Sequence, residues 1–474
     1  MTVWQGSEAP RMAVVATLAV DHLTPIGAFV RLRPLGAHTL LESVEGDEKV
    51  ARYSFIAVGE WARLVEEEGQ AVLRADGSVL DVDPNPVAVL RRAQDRFRVA
   101  VPSAVELPFP GGAVGYFAYD WVRWLERLPR HHRQRGPLWE WVWPKAVVAF
   151  DHRQKTVTVI AEGDADEPAP ARALAEAMVQ QMQAPWPVLP PKARRVGPIV
   201  ANVSRERYLE MVAQAQRYIL AGDIFQVVLS QRLWAPIAGD AFDLYRRLRR
   251  VNPSPYLFYL ETPRVTLVGS SPEALIRVQN GWAINRPIAG TRRRGRTEAE
   301  DRALWDELIA DPKERAEHTM LVDLARNDLG RVCRYGSVEV THLMERESYS
   351  HVMHIVSEVR GQLQPELDSL DALAAVFPAG TLTGAPKIRA MEVIEELEPE
   401  ARAAYGGVVG YLSHRGDLDA CITIRTIEVR DHQASVQAGG GVVADSRPEA
   451  EFQESLNKAA AGLTVLEAEG EPWL

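Results

Sequence analysis

The sequence predicts an α+β fold: antiparallel β-sheets packed as a sandwich-like core, with helices on the outer faces. Two observations carry this. Short apolar runs are more numerous than strict β-α alternation would supply. Many of them are joined by turns too short to hold a crossover helix.

Through the first 160 residues the runs are broken by Gly and Pro, as in HTLLESVEG and RYSFIAVG. AVLRADGSVLDV and KAVVAFDHRQKTVTVIAEG read as hairpins with polar turns. A helical stretch at 169–183 leads into a Pro-rich segment without pattern, the natural linker. The chain thus divides into an N-terminal region (1–185), a linker (186–200) and a second region (201–474). In the second region Ser204 caps a helix whose Tyr208, Met211, Val212, Ala215 and Ile219 keep helical spacing, and Gly222 closes it. Strands are expected at 257–261, 265–269, 274–278, 350–359, 406–412, 421–429 and 433–438. Helices are expected at 241–250, 298–310, 312–328, 367–376, 387–396 and 448–461. GGAVGYFAYD (111–120) and GGVVGYLSHRGDLD (406–419) echo each other, as a duplication or two similar Gly-rich strand edges would.

The length, 474 residues, allows two or three domains or one elaborated domain. No apolar run reaches membrane-spanning length, and the N-terminus is neither a signal nor a transit peptide, so a cytoplasmic protein is expected. Two cysteines, Cys333 and Cys421, fit a reducing compartment. A net charge of −10 argues against non-specific nucleic-acid binding. RRLRR (246–250) reads as a solvated helix face, and TRRRGR (291–296) as part of a Gly-containing turn.

Two helices carry Glu-x-x-Glu beside an apolar face. In KERAEHTMLVDLARNDLG (313–330), started by Asp311-Pro312, Glu314 and Glu317 share a stripe with Leu321 and Leu324. In EAEFQESLNKAAAGL, Glu451, Glu454 and Lys458 flank the stripe of Phe452, Leu456, Ala459 and Leu463, and Ser446 with Glu449 fits a capping box. Acids in a first turn also suit the helix dipole, which is the plain alternative. Carboxylates at the edge of a buried face are costly, and a shared hard dication removes that cost. Oxygen ligands favour Mg²⁺. The expected arrangement is one direct ligand per helix, Glu317 and Glu454, with Glu314 and Glu451 acting largely through water.

Anion-receiving groups stand nearby in the sequence. Gly439, Gly440 and Gly441 are expected between a strand and the C-terminal helix, offering backbone N–H groups. Arg425, expected mid-strand among apolar residues, needs a carboxylate from protein or ligand. Thr291 is a donor in a Pro/Gly-bounded turn. Glu273 and His354 are the candidate proton-transfer groups, although a histidine on an apolar face is often a satisfied core residue.

The stretches GDIFQVVLSQR, NPSPYLFYL, SSPE, PIAGTRRRG, EHTMLVDLARNDLG, SYSHVMHIVSEV, AGTLTGAPKIRAMEVI, YGGVVGYL, GDLDACITIRT, QAGGGVVADS and EFQESLNKA follow one another from 222 to 459. In this order they resemble the motifs of the chorismate-utilising enzymes, most closely the anthranilate synthase branch. The resemblance implies amination of chorismate and loss of pyruvate, with Mg²⁺ on the two glutamate pairs. It implies that Gly290, Thr291, Tyr405, Arg425 and Gly439 to Gly441 hold chorismate, Arg425 on the enolpyruvyl carboxylate, with Lys458 adding charge near the ring carboxylate. Glu273 would be the general acid for the departing 4-hydroxyl, and His354 would assist pyruvate elimination.

Relatives that add water carry lysine where Gln226 stands, and those forming aminodeoxychorismate carry lysine where Ala289 stands. Both positions therefore point to anthranilate. Isochorismate or aminodeoxychorismate synthesis, or a tryptophan-responsive sensor without chemistry, are the alternatives. Neither cysteine sits in a glutaminase-like elbow, so ammonia is expected from a separate glutamine amidotransferase subunit, two large and two small subunits together. The N-terminal region would carry regulatory and partner-subunit surfaces. Ser43 in LLES and Pro255, Tyr256 and Leu257 in PSPYLF resemble the two pieces of the family's tryptophan pocket.

Overall fold

The structure, a computed structural model, describes residues 2–4, 11–19, 23–43, 52–102, 105–349 and 352–468. Among these residues the strands form two antiparallel sheets, of 14 and 12 strands. The hairpins expected near the N-terminus are present as Gln70–Ala75 with Ser78–Asp83 and Ala146–Asp151 with Thr156–Asp164. The helix expected at 169–183 is Ala169–Gln183. Ser204 caps Arg205–Leu220 through the Arg207 N–H, and Gly222 follows with φ 84°.

Period-two alternation places the sheets face to face. In strand Ala146–Asp151, Val147 and Ala149 join a cluster with Val114, Tyr116, Val409 and Tyr411 of the second sheet. Ala146, Val148 and Phe150 point the other way, into a cluster with helix residues Phe29, Ala175 and Leu248. The outer face of the second sheet is covered likewise, Ala113 and Phe117 packing with Leu90, Leu373 and Val376. This is the α+β sandwich with helices outside. Strands of this kind are apolar on both faces, which is why their sequences lack clean polar alternation.

Each sheet draws strands from both ends of the chain. The first runs from Thr2–Trp4 to Arg194–Arg195, which pairs with Gln226–Ala238, the second from Ile288–Arg293 to Ser78–Asp83. The two Gly-rich echoes are neighbours: Gly112–Phe117 pairs with Val408–Ser413, and Gly115 lies opposite Gly410. These are equivalent positions of the echoed motif, so an antiparallel pairing carries one copy onto the other. That symmetry favours duplication over coincidence. A side chain is excluded at either glycine, because a Cβ would come 2.2 Å from Glu140 O at Gly115 and 2.4 Å from Asp419 O at Gly410.

Two local expectations are corrected. The strand expected at 421–429 is two strands, Leu418–Ile422 in the second sheet and Thr426–Arg430 in the first. Arg425 is therefore not mid-strand but in the step between sheets, with φ 50°. RRLRR is not wholly solvated. In helix Ala241–Val251, Arg247 pairs with Asp243, and Arg249 reaches the buried Glu42 at 3.0 Å.

Candidate active site

The chain steps between the sheets at two adjoining places, and both carry site residues. Strand Thr266–Ser271 ends in the first sheet and Ala274–Gln279 begins in the second, with Glu273 in the step. Thr423 to Arg425 make the reverse step. Backbone hydrogen bonds tie them together: Ser270 N–H donates to Arg425 O at 3.2 Å, and Ile422 N–H donates to Glu273 O at 3.0 Å. The turn holding Tyr405 is tied in through Gly406 N–H to Thr423 O, 2.9 Å.

Glu273 is half-buried and lines a small cleft with Thr381, Arg286 and Asp328. Burial lifts the Glu273 pKa to about 7, against a hydrogen bond from Thr381 and the fields of Arg425 and Lys458. Thr381 Oγ1 donates to Glu273 Oε1 at 2.8 Å. Arg425 is half-buried, and partial removal from water lowers its pKa. Tyr405, Glu273 and Glu454 act on it only at a distance, and no described residue forms an ion pair with it. A partly desolvated guanidinium without a counter-ion is expensive unless a ligand carboxylate completes it. Burial also raises the pKa of Tyr405, to about 12.

Strands Ile288–Arg293 and Val352–Gln362 bring Gly290, Thr291 and His354 together. His354 Nδ1 lies 3.0 Å from Gly290 O and 3.1 Å from Thr291 Oγ1. A carbonyl only accepts, so Nδ1 carries the proton and Nε2 is left as an acceptor. Burial lowers the His354 pKa, which favours this neutral ring. Ala289, beside them, pairs with Ile355.

Gly439, Gly440 and Gly441 lie inside strand Gln433–Val442, not after it, opposite Ser230, Leu229 and Val228. Beyond Val436 this strand has no second partner among the described strands, so outward backbone groups stay open. Each glycine marks a close approach. A Cβ would meet Leu229 O at 2.1 Å from Gly439, Glu451 Oε2 at 2.8 Å from Gly440, and Gln226 Nε2 at 2.7 Å from Gly441. Gln226 thus sits over the glycine strand.

The acidic helices are Pro312–Gly330 and Pro448–Glu467. Asp311 caps the first through the N–H groups of Lys313 and Glu314. The capping box expected at Ser446 is absent: Arg447 is the cap residue, and the Ser446 hydroxyl donates to Glu451 Oε1 at 2.7 Å. With Pro448 as the first helical residue, Ser446 stands one position before the cap, and its hydroxyl also accepts from Val443 N–H at 3.0 Å. The field of Glu454 reaches Glu317 on the other helix. Burial, then Glu314, raises the Glu317 pKa, and Glu454 adds to it. Burial and Glu454 likewise raise that of Glu451, whose Oε2 is buried without a partner. Glu454 pairs with Lys458 at 2.6 Å and Glu314 with Arg292 at 3.1 Å. Among the described residues no three His, Cys, Asp or Glu close into a ligand set. The orphaned oxygen and mutual repulsion are nonetheless what a divalent cation would relieve.

A cavity of about 740 Å³ opens where the inter-sheet core ends. Ser43, Pro255, Tyr256 and Leu257 all line it, with Arg52 and Asp419. The Ser43 hydroxyl is buried and has no hydrogen-bond partner among the described residues, while Tyr256 OH donates to Asp419 at 3.0 Å.

Sequence reading missed Thr381 as a neighbour of Glu273. AGTLTGAPK has the look of a turn, but no periodicity points a turn hydroxyl at a residue 108 positions away. It also missed Arg292, whose place in TRRRGR resembles ordinary surface charge.

A half-buried arginine without an ion-pair partner among the described residues, a carboxyl whose pKa is raised by burial, and an acidic pair at the start of each of two helices are the features gathered at the two sheet crossings and beside the glycine strand. A family profile described as chorismate binding enzyme matches residues 37–464, and the chain belongs to that family. It is 44% identical to anthranilate synthase component 1 of Acetivibrio thermocellus, over 97% of this chain and 96% of the relative. It is 46% identical to the protein of the same name from Thermus thermophilus, over 95% of this chain and 97% of the relative. The crystal structure of anthranilate synthase component I from Streptococcus pneumoniae superposes with a TM-score of 0.76 at 37% identity, covering 88% of this chain and 93% of that one.

Proposed function

We propose that this chain is the chorismate-aminating component of an anthranilate synthase. Ammonia adds at C2 of chorismate, the 4-hydroxyl leaves as water, and pyruvate is then eliminated to give anthranilate. The observation that carries the reading is the half-buried Arg425 beside a half-buried Glu273, a receptor for a carboxylate next to a proton donor. Arg425 takes the enolpyruvyl carboxylate, with Gly290, Thr291, Tyr405 and the glycine strand around the ring. Glu273, protonated near neutral pH, gives its proton to the departing hydroxyl. His354, neutral with Nε2 free to accept, takes up a proton as pyruvate leaves. Gln226 and Ala289, which carry no amine, favour ammonia as the nucleophile.

Mg²⁺ held by Glu317 and Glu454, with Glu314 and Glu451 through water, would supply positive charge to the ring carboxylate, and Lys458 adds to it. Replacing Glu317 with glutamine should raise the Mg²⁺ concentration for half-maximal rate by about tenfold or more, the loss typical of a disturbed metal shell. An unchanged Mg²⁺ requirement would remove Glu317 from that role.

The ammonia source is a glutamine amidotransferase subunit, in an assembly of two large and two small subunits. Tryptophan binds the cavity lined by Ser43, Pro255, Tyr256 and Leu257 as an inhibitor. The orphaned Ser43 hydroxyl is ready for a ligand's polar group, and Ser43→Ala should weaken inhibition by about tenfold, the worth of one hydrogen bond. Uninhibited activity should stay the same; undiminished inhibition would speak against the pocket. No described helix is long and apolar enough to cross a membrane. Two buried free cysteines agree with a reducing cytoplasm. The decisive assay is purified chain with chorismate, Mg²⁺ and an ammonium salt, the product identified by fluorescence and mass. Isochorismate or aminodeoxychorismate instead of anthranilate would overturn the reading.

A further inference from the structure

Arg402 and Glu398 form an ion pair at 1% and 3% exposure, deeper than any group of the site requires for its own sake. Arg402 holds both carboxylate oxygens, at 2.9 Å and 2.6 Å. Its remaining donors reach two backbone carbonyls, Leu382 O at 2.6 Å and Val228 O at 2.8 Å. Glu398 Oε1 also accepts from the N–H and hydroxyl of Ser230, both at 2.8 Å. These hydrogen bonds tie the strand Gln226–Ala238 to the short turn Gly380–Leu382, and the guanidinium also lies over the rings of Tyr119 and Tyr405, 4.8 Å and 5.5 Å from their centroids. Taking both ions out of water costs about as much as their attraction returns, so stability alone does not account for the pair.

The turn is three residues of 3-10 helix, closed by Leu382 N–H to Ala379 O and Thr383 N–H to Gly380 O, at 3.1 Å and 3.2 Å. Its C-terminal end is fixed by Thr383 Oγ1 donating to Ala379 O and Val228 N–H donating to Thr383 O, both at 2.9 Å, while the Leu382 carbonyl is held by Arg402. The middle residue of the turn is Thr381, among the described residues the one hydroxyl donating to the Glu273 carboxyl. Moving the Leu382 carbonyl by a fraction of an ångström would swing Thr381 off the carboxyl.

We infer that Arg402 is a positioning residue for Glu273: by gripping the Leu382 carbonyl it holds the Thr381 hydroxyl on the carboxyl. This rests on the reading of Glu273 as the general acid. The other charged groups facing Glu273 are Arg425 and Lys458, with Arg286 and the Lys387-paired Asp328 lining the small space beside it. None of them bonds to Arg402.

The test is the pH dependence of kcat, corrected for free ammonia, in the full chain. The Thr381 bond favours the charged carboxylate, so losing it lets the acid hold its proton to higher pH. Thr381→Val should move the alkaline limb up by about one pH unit, the worth of a hydrogen bond to a charged group. Thr381→Ser should leave the limb in place. Arg402→Met, two residues removed from the proton transfer, should shift the limb the same way, whatever its effect on KM through the Tyr405 ring. The double variant should shift no further than Thr381→Val. Should Arg402→Met not fold, Glu398→Gln loosens the same grip and should shift the limb in the same direction. A wild-type limb in the folded Arg402 or Glu398 variant, or additive shifts in the double variant, would overturn the inference. Glu273→Gln with undiminished rate would instead overturn the role of Glu273 itself.

Discussion

Replacing Glu273 by glutamine should cut ammonium-dependent anthranilate formation by about 10²- to 10⁴-fold, the range a positioned general acid contributes. Glutamine keeps the shape and can still accept from Thr381 Oγ1, so chorismate affinity should change little. What is lost is a transferable proton at the 4-hydroxyl, which is a poor leaving group unless protonated. The same group predicts a pH profile. Burial raises its pKa to about 7, so the acid is protonated below that value and ionised above it. Rates corrected for free ammonia should be level below about pH 7 and fall about tenfold per unit above it. The sign follows from the role: a general base at the same position would lose activity as the pH falls. A profile that rises through neutrality would reassign the residue, and a flat one would take it out of the chemistry. Burial is also the reason a carboxyl can do this work, because an exposed glutamate is almost fully ionised at neutral pH.

Much of the fold was legible because sheet and helix periods are local. Helix Glu298–Ala310 lies at its expected bounds, and strands 256–261 and 433–442 overlap theirs. Where reading failed, the missing information was non-local. Arg425 and its neighbours keep strand-like composition, but the chain leaves one sheet and joins the other there, and only tertiary pairing reveals it. The glycines at 439–441 read as a loop because three successive residues without side chains have low strand propensity. They stay in the ladder because the backbone of Leu229 and the side chains of Gln226 and Glu451 occupy the space where side chains would stand. The glutamate pairs were visible as helix faces, whereas the field of Glu454 on Glu317 depends on how two distant stretches of chain are placed. Arg402 shows the limit most plainly. Nothing in PEARAAY marks that arginine as buried, and an i,i+4 pair with Glu398 reads like surface charge.

Replacing Arg425 by methionine should raise the KM for chorismate by about a hundredfold, since removing one partner of an enclosed charge pair costs about 2–5 kcal/mol. The same change should leave unfolding temperature unaltered or slightly higher. In the free protein the guanidinium is partly desolvated with no carboxylate on it, at a residue whose φ of 50° is itself unfavourable for a side-chain-bearing residue. A fold gains nothing from that arrangement, so removing the charge removes a cost. The two measurements separate function from structure. If Arg425 instead held the sheet crossing together through an ion pair, thermal stability would drop with affinity. Ligand stabilisation gives a third readout. Chorismate at a hundred times its dissociation constant should stabilise the wild-type chain by about 2.7 kcal/mol. At that concentration the variant, binding a hundredfold more weakly, should gain about 0.4 kcal/mol by the same relation. A variant that kept its ligand-induced shift would mean that another cation receives the carboxylate, and that the half-buried charge at 425 is left without a role.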